Sequence, residues 1–339
     1  MRKFIVALVL MSGVMFVITR FAEIGDIGET LQRGDWRFLS LAALVEAIWI
    51  VNLGASFEAI YRSIGINENL GRLTLMASAA NFVNIVAPSA GVGGIAVFIA
   101  EARAREYSVG RATVASTLFV LFDYFGFFVI LTLGFVVLIR RDKVTIPEVT
   151  AAIFLVLIAI SLATLLYLGA YSEQKLGRIL AWLARLVNRI AKPFRRHSHN
   201  AYLSEERAYS FASEITEGLQ ELKYNPKTLI VPVVLALNGK VLMILVLLCV
   251  FLAFEVPVSI GTLIAGFCIA NLFVIASPTP SGVGIVEGML TLALHSFYIP
   301  LGASAVIAMV YRGCTFWLPL FFGMIAFHRV GQTQNADSE

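Results

Sequence analysis

Apolar positions in this chain do not alternate with polar ones. They run in unbroken blocks, and about 20 such residues in a helix cross a bilayer. Blocks of that length lie at 4–21, 37–61, 112–139, 149–170, 228–254 and 304–327. Each is read as a membrane-spanning helix. The first, within "MRKFIVALVLMSGVMFVITR", starts like a secretory leader. It lacks a small-x-small cleavage pattern and is read as an uncleaved helix. Two further apolar regions, 73–100 and 260–300, are interrupted in their middles. The interruptions read "APSAGVGG" and "ASPTPSGVGIVEG". Proline removes a backbone donor and glycine weakens a helix. Such stretches persist at membrane depth only when buried in protein or lining a cavity.

The two interrupted regions match one another. Asn81 precedes Pro88 by the same seven residues that separate Asn271 from Pro278. Each proline leads into a Gly-Val-Gly, Gly91 to Gly93 and Gly282 to Gly284, with one residue of slippage. The next apolar block carries Asp123 in the first case and Arg312 in the second, again to within one residue. The spacing predicts an internal repeat of about 190 residues. The breaks are then set by Pro88, Gly91 and Gly93 in one copy, and by Pro278, Pro280, Gly282 and Gly284 in the other.

Charge fixes an orientation. With the N-terminus inside and each interrupted region returning to its own side, the inner segments carry 18 Lys and Arg and the outer segments 6. That satisfies the positive-inside rule. The two halves then have opposite topology. The fold class expected is an all-α polytopic membrane protein, an inverted repeat with two broken or re-entrant helical hairpins, as in secondary transporters. The chain divides into a first membrane half, 1–170, a cytoplasmic amphipathic linker, 171–227, and a second membrane half, 228–339. Between Lys175 and Arg196 the linker has seven basic residues and no acidic one. That pattern suits a helix lying on an anionic leaflet.

Composition agrees: 59% of residues are hydrophobic and 14% charged, against about 25% charged in soluble domains. A net charge of +4 fits basic cytoplasmic loops rather than nucleic-acid binding. Cys249, Cys268 and Cys314 lie in apolar runs without metal-ligand spacing, and the four histidines form no zinc motif. No metal, cofactor or catalytic constellation is expected.

Ionisable residues inside apolar blocks are the strongest chemical signals, since each costs about 2.5–3.5 kcal/mol or more at mid-helix. The candidates for substrate contact are Glu46, Asp123, Lys240, Glu287 and Arg312, with Asn81 and Asn271 at the breaks. Glu287 either lines a substrate site or caps the helix that starts beside it. The asparagines either bond across the hairpins or cap the breaks. Glu46 and Lys240 are placed to share one cavity. Asp123 and Arg312 either pair, forming a charged site that a lipid phosphate can enter, or are satisfied locally. Glu58 and Arg62 read as an i,i+4 pair.

"PTPSGVGIVEGML", followed by "YRGCTFWLPLFFG", resembles the transmembrane region of the bacterial lysylphosphatidylglycerol synthase/flippase family. "PSAGVGG" and "EARAREYSVGRATVASTLFVLFDY" resemble its first half. The resemblance covers nearly the whole chain. It implies flipping of a phospholipid, or of a lipid-linked headgroup, across the bacterial cytoplasmic membrane. Full-length synthases add a soluble aminoacyl-transferase domain. This sequence ends at "HRVGQTQNADSE", so aminoacylation of lipid is not expected. The partners implied are membrane lipids, anionic or lipid-linked, and a lipid-modifying enzyme. Two other readings stand beside flipping. One is a non-catalytic membrane subunit supporting a lipid-modifying or glycosyl-transferring enzyme; the other is an intramembrane lipid transferase.

The charge count predicts that the N-terminus, residues 171–227 and the C-terminus are cytoplasmic. Single cysteines introduced at Ser198 and Ser338 should resist a membrane-impermeant thiol reagent in intact cells and react after lysis. Ready labelling of either in intact cells contradicts the orientation.

Overall fold

The computed structural model describes residues 34–86, 93–105, 108–140, 146–171, 174–179, 226–277 and 279–336, with a few single positions between 181 and 219. Among these residues the regular structure is helical throughout. The helices are α1 (Trp36–Ser63), α2 (Leu70–Val86), α3 (Ile95–Ala104), α4 (Val109–Arg140), α5 (Ile146–Tyr171), α6 (Ile230–Ala253), α7 (Ile260–Ala276), α8 (Ile285–Ser296), α9 (Leu301–Arg312) and α10 (Leu318–Ala336). A 3-10 turn, Pro226–Leu229, leads into α6, and a π turn, Gly313–Trp317, joins α9 to α10. The expected spans 37–61, 112–139, 149–170, 228–254 and 304–327 each fall on this framework, whereas 4–21 lies outside the described residues. Four of the helical stretches are long and apolar enough to cross a membrane: Trp36–Ser63, Val109–Arg140, Lys227–Ala253 and Leu301–Val330.

These helices carry apolar residues on their outer faces as well as inside. In α1, Leu41, Leu44, Ile48 and Val51 are exposed, while Ala42, Glu46, Leu53, Phe57 and Ile60 are buried. In water such an outer stripe would be an aggregation liability; in hydrocarbon it is the compatible surface. The polar residues therefore turn inward.

The order long helix, 17-residue helix, short helix, long helix occurs twice. Leu70–Val86 and Ile260–Ala276 correspond end to end at a spacing of about 190 residues. The turns correspond too. After α1, Gly65 has φ 76°, the Gly65 N–H donates to Arg62 O (3.3 Å) and the Ile66 N–H to Tyr61 O (2.9 Å). After α6, Glu255 has φ 54°, its N–H donates to Leu252 O (3.2 Å) and the Val256 N–H to Phe251 O (3.1 Å). Both are left-handed helix ends that satisfy carbonyls the last turn leaves open. The caps that follow sit at Asn69, whose side chain accepts from the Gly71 N–H, and at Ser259, whose hydroxyl accepts from the Thr262 N–H. The short helices start from Gly94 and Gly284. Matching these two glycines, rather than Gly93 with Gly284, removes the slippage left by the Gly-Val-Gly motifs. At about 1.5 Å per residue, α3 and α8 are about 15–18 Å long, roughly half the ~30 Å hydrocarbon core.

The chain forms two compact units, each assembled from separated stretches. One holds Ile50–Phe128, Ile153–Gly239 and Leu320–Glu339, and thus the first hairpin, α2 and α3. There Phe57 stacks on Phe98 and Phe119 at centroid distances of 4.1 and 4.3 Å. Asn52 joins α1 to α6, donating to Leu235 O (3.0 Å) and accepting from Asn238 (2.9 Å). Within the expected linker, Leu176 and Ala181 are each 1% exposed. Protein covers that side of the segment, which favours packing on protein over lying free on a leaflet. The rest of the basic run lies outside the described residues.

The other unit holds Val129–Ala152, Lys240–Pro319 and the start of α1, and thus the second hairpin, α7 and α8. Its core joins Leu138 of α4 to Ala265 and Ile269 of α7 and to Phe297, with Phe273, Met289 and Ala293 packed around them. Here α4 and α7 approach closely at Gly134. A Cβ on Gly134 would collide with the Cys268 sulfur and lie 3.0 Å from Cys268 Cβ. The Cys268 thiol also donates to Ile130 O at 3.3 Å.

Overpacking of this kind costs about 1–3 kcal/mol. Gly134→Ala should lower the unfolding temperature of the purified protein by a corresponding amount. Adding Cys268→Ala, which removes the colliding sulfur, should recover part of the loss. Equal losses in the single and double variants contradict the contact.

Candidate functional site

The second break is organised by its own side chains. Helix α7 ends at Ser277, which leaves the helix with ψ 140°. The Ser277 hydroxyl lies 2.8 Å from the Thr279 hydroxyl and accepts from the Thr279 N–H (3.1 Å). A 3-10 turn, Pro280–Gly282, follows. Its N–H donors are used, Gly282 N to Thr279 O and Val283 N to Pro280 O. Ser281 sits at φ 48°, ψ 24°, a left-handed conformation seldom held by a residue with a side chain. Gly282 (φ 73°) and Gly284 (φ 83°) complete the reversal. At Gly282 there is no room for a side chain either, since a Cβ would run into Val286 and lie 3.1 Å from Phe273 O.

Glu287 occupies the third position of α8, and one of its oxygens accepts from the Gly284 N–H at 2.7 Å. This is the helix-capping role. The same carboxylate also has a second partner: its other oxygen accepts from Arg312 Nε at 3.1 Å. A second edge of the guanidinium donates, through Nη2, to Ser281 O at 2.9 Å. Arg312 is 5% exposed, and its Cζ lies 4.7 Å from the centre of the Phe316 ring, within cation–π range. One guanidinium therefore ties the strained turn, the start of α8 and the end of α9 together. Phe316 is presented by the π turn, an irregularity that recurs at functional positions. Among the described residues Nη1 takes no hydrogen bond, and the Glu287 side chain is one-quarter exposed.

Of the residues picked from sequence, the structure joins Glu287, Arg312, Gly282 and Gly284 in one site. Arg312 meets its carboxylate in Glu287, within its own compact unit, so the ion pair it needs does not depend on Asp123. Asp123 is half-buried in α4, beside Tyr124. Asn271 is half-buried in the last turns of α7, and Pro280 is exposed on the break. Lys240 is buried in α6. Glu46 is buried in α1, and neither of its oxygens takes a hydrogen bond from Lys240 or from any other described residue. Pro88, Gly91 and Pro278 lie outside the described residues.

The first break uses different side chains. Asn84, one turn beyond Asn81, accepts from the Gly94 N–H at 2.6 Å. Asn81 is half-buried and Gly93 lies in the turn before α3. At the mouth of this hairpin Arg72 donates to Glu101 through both Nε (3.0 Å) and Nη2. Arg105 approaches the same oxygen at 3.3 Å and Glu68 at 3.8 Å. Sequence reasoning missed Asn84, the Ser281 carbonyl, Phe316 and this mouth cluster. Only Asn84 had a visible signal, as a second asparagine just before the proline. The others depend on where helices end and meet.

Residues 4–323 match the family described as the lysylphosphatidylglycerol synthase TM region. A UPF0104 membrane protein of Methanothermobacter thermautotrophicus is 23% identical over 321 residues, covering 91% of this chain and 90% of its own. A UPF0104 membrane protein of Methanocaldococcus jannaschii is 24% identical over 326 residues, covering 92% and 91%. The match spans both hairpins and the Glu287–Arg312 site, and the chain belongs to the lysylphosphatidylglycerol synthase transmembrane-region family.

Proposed function

We propose that this membrane protein moves a phospholipid, or a lipid-linked headgroup, from one face of the cytoplasmic membrane to the other. The observation that carries the reading is the buried guanidinium of Arg312 at an unwound stretch of backbone. An arginine in an apolar block is retained against a large desolvation cost. Its planar fork matches phosphate oxygens, which can accept two parallel hydrogen bonds. Glu287 supplies the exchange: its Oε1 can release Arg312 Nε to a phosphate while its Oε2 keeps the Gly284 N–H. The anionic headgroup then replaces a carboxylate of similar charge, so the guanidinium is never left unpaired.

Two further features support transport. The short helices α3 and α8 begin at Gly94 and Gly284 and are about half as long as the ~30 Å hydrocarbon core, the pattern of transporters whose sites lie between broken helices. The boundary between the compact units falls within α1, α4, α5, α6 and α10. The first hairpin shares its unit with the start of α6, and the second shares its unit with the start of α1. An inverted repeat gives that division. In this reading the lipid changes sides without a covalent step, the protein sits in the cell membrane with both termini inside, and a lipid-modifying enzyme supplies or consumes the cargo.

Vesicles containing the full-length protein and a fluorescent phosphatidylglycerol test this, with an impermeant quencher reporting the outer leaflet. The protein should speed equilibration over protein-free vesicles. Arg312→Lys keeps the charge but loses the fork. Hydrogen bonds to charged groups contribute about 1.5–3 kcal/mol, so the rate should fall about tenfold or more. Equal rates for Arg312→Lys and wild type contradict the role of Arg312. No acceleration by wild type contradicts transport itself.

A further inference from the structure

Glu46 lies on the inward stripe of α1, four residues after the fully buried Ala42. It is 1% exposed, and neither carboxylate oxygen has a hydrogen-bond partner among the described residues. Glu58, Glu101 and Glu287 each meet an arginine; Glu46 does not. Among the described residues the titratable groups within electrostatic reach of its charge are Tyr311 at the end of α9 and Cys314 on the π turn. Cys249 of α6 is in turn close to Cys314. Tyr311 interacts electrostatically with both Glu46 and Arg312. All these residues belong to one compact unit.

An ionised carboxylate without a partner is costly in hydrocarbon. Something neutralises it for at least part of the protein's working cycle. A hard metal cation needs about six oxygen ligands. Among the described residues the titratable neighbours of Glu46 are a phenol and a thiol, and no group of His, Cys, Asp and Glu there could hold a metal ion. A proton needs no further ligand.

We propose that Glu46 is a proton-binding site that couples lipid movement to the proton gradient. The inference rests on the transport reading above and adds the coupling ion to it. The chemical step is transfer of one proton from water to a Glu46 oxygen, and its return to water on the other side. With Glu46 ionised, its negative charge acts on the region of Arg312 and weakens the attraction for an anionic headgroup. With Glu46 protonated, that opposing charge is gone and the headgroup binds better. By linkage, headgroup binding favours proton uptake to the same degree.

The test uses full-length protein and two independent readouts. The first is infrared difference spectroscopy across a pH titration. Wild type should show the carbonyl-stretch band of a buried carboxyl that gains and loses a proton. Glu46→Gln should lose it and Tyr311→Phe should shift it. Glu46→Asp should move the band without deleting it, and serves if Glu46→Gln does not accumulate. A titrating band that persists unchanged in Glu46→Gln, or that is absent from wild type, overturns the proposal. The second readout uses vesicles with a pH-sensitive dye inside and fluorescent phosphatidylglycerol in the membrane. An imposed pH gradient should change the rate of lipid movement in wild type, with proton flux in step, and a sodium gradient should not. Lipid movement indifferent to the pH gradient, or driven by sodium alone, overturns the coupling. If wild type moves no lipid at all while the band is present and lost in Glu46→Gln, the transport reading fails and the proton site stands.

Discussion

A helix interrupted inside hydrocarbon leaves amides and carbonyls that no water can satisfy, each at a cost of several kcal/mol. Both hairpins depend on meeting that demand. At the second break the Ser277 and Thr279 hydroxyls, the Glu287 carboxylate and the Arg312 guanidinium take up groups that the turn exposes. At the first, the Asn84 amide holds the N–H from which α3 begins. The charged residues thus have a structural reason to be in the membrane before any lipid arrives. The Arg312 guanidinium satisfies a carbonyl through Nη2 and a carboxylate through Nε.

The two halves match in the positions of their turns and differ in side chains and in the backbone of one glycine, Gly94 being helical (φ −63°) and Gly284 left-handed (φ 83°). The left-handed helix ends at Gly65 and Glu255 and the glycine starts of α3 and α8 correspond position for position. The ion pairs do not. The first hairpin is held at its mouth by Arg72, Glu101, Arg105 and Glu68. Val258, Thr262, Thr291 and His295 stand at the matching positions of the second, where His295 instead bonds Ile299 O at 3.0 Å. The second hairpin carries its ion pair at the break, where the first has an asparagine. One hairpin therefore has its ion pairs at its open end and the other at its turn.

Much of this architecture was legible because hydrocarbon imposes simple rules. Block length gave the described long helices to within a few residues, and the glycine spacing pointed to the starts of α3 and α8. Register was less legible: matching Gly-Val-Gly to Gly-Val-Gly misplaces the first helix start by one residue, because Gly94, not Gly93, is the cap. Pairing was hardest. Repeat position offered Asp123 as a partner of Arg312, or local satisfaction of each; within its own unit Arg312, just before the π turn, meets Glu287. No pattern in "YRGCTFW" announces a π turn. Likewise Glu46 is conspicuous as a charge in sequence, while its want of a hydrogen-bond partner among the described residues appears only once the helices are packed.

Glu287 and Arg312 act as one element that holds the second break. A double-mutant cycle on the thermal stability of the purified protein tests it most directly, using Glu287→Gln, Arg312→Gln and the pair. Groups in one hydrogen-bonded network couple by about 0.5–3 kcal/mol. Each single variant should therefore unfold at lower temperature, with the double variant losing clearly less than the two losses added together. Strict additivity of the two losses would contradict the account.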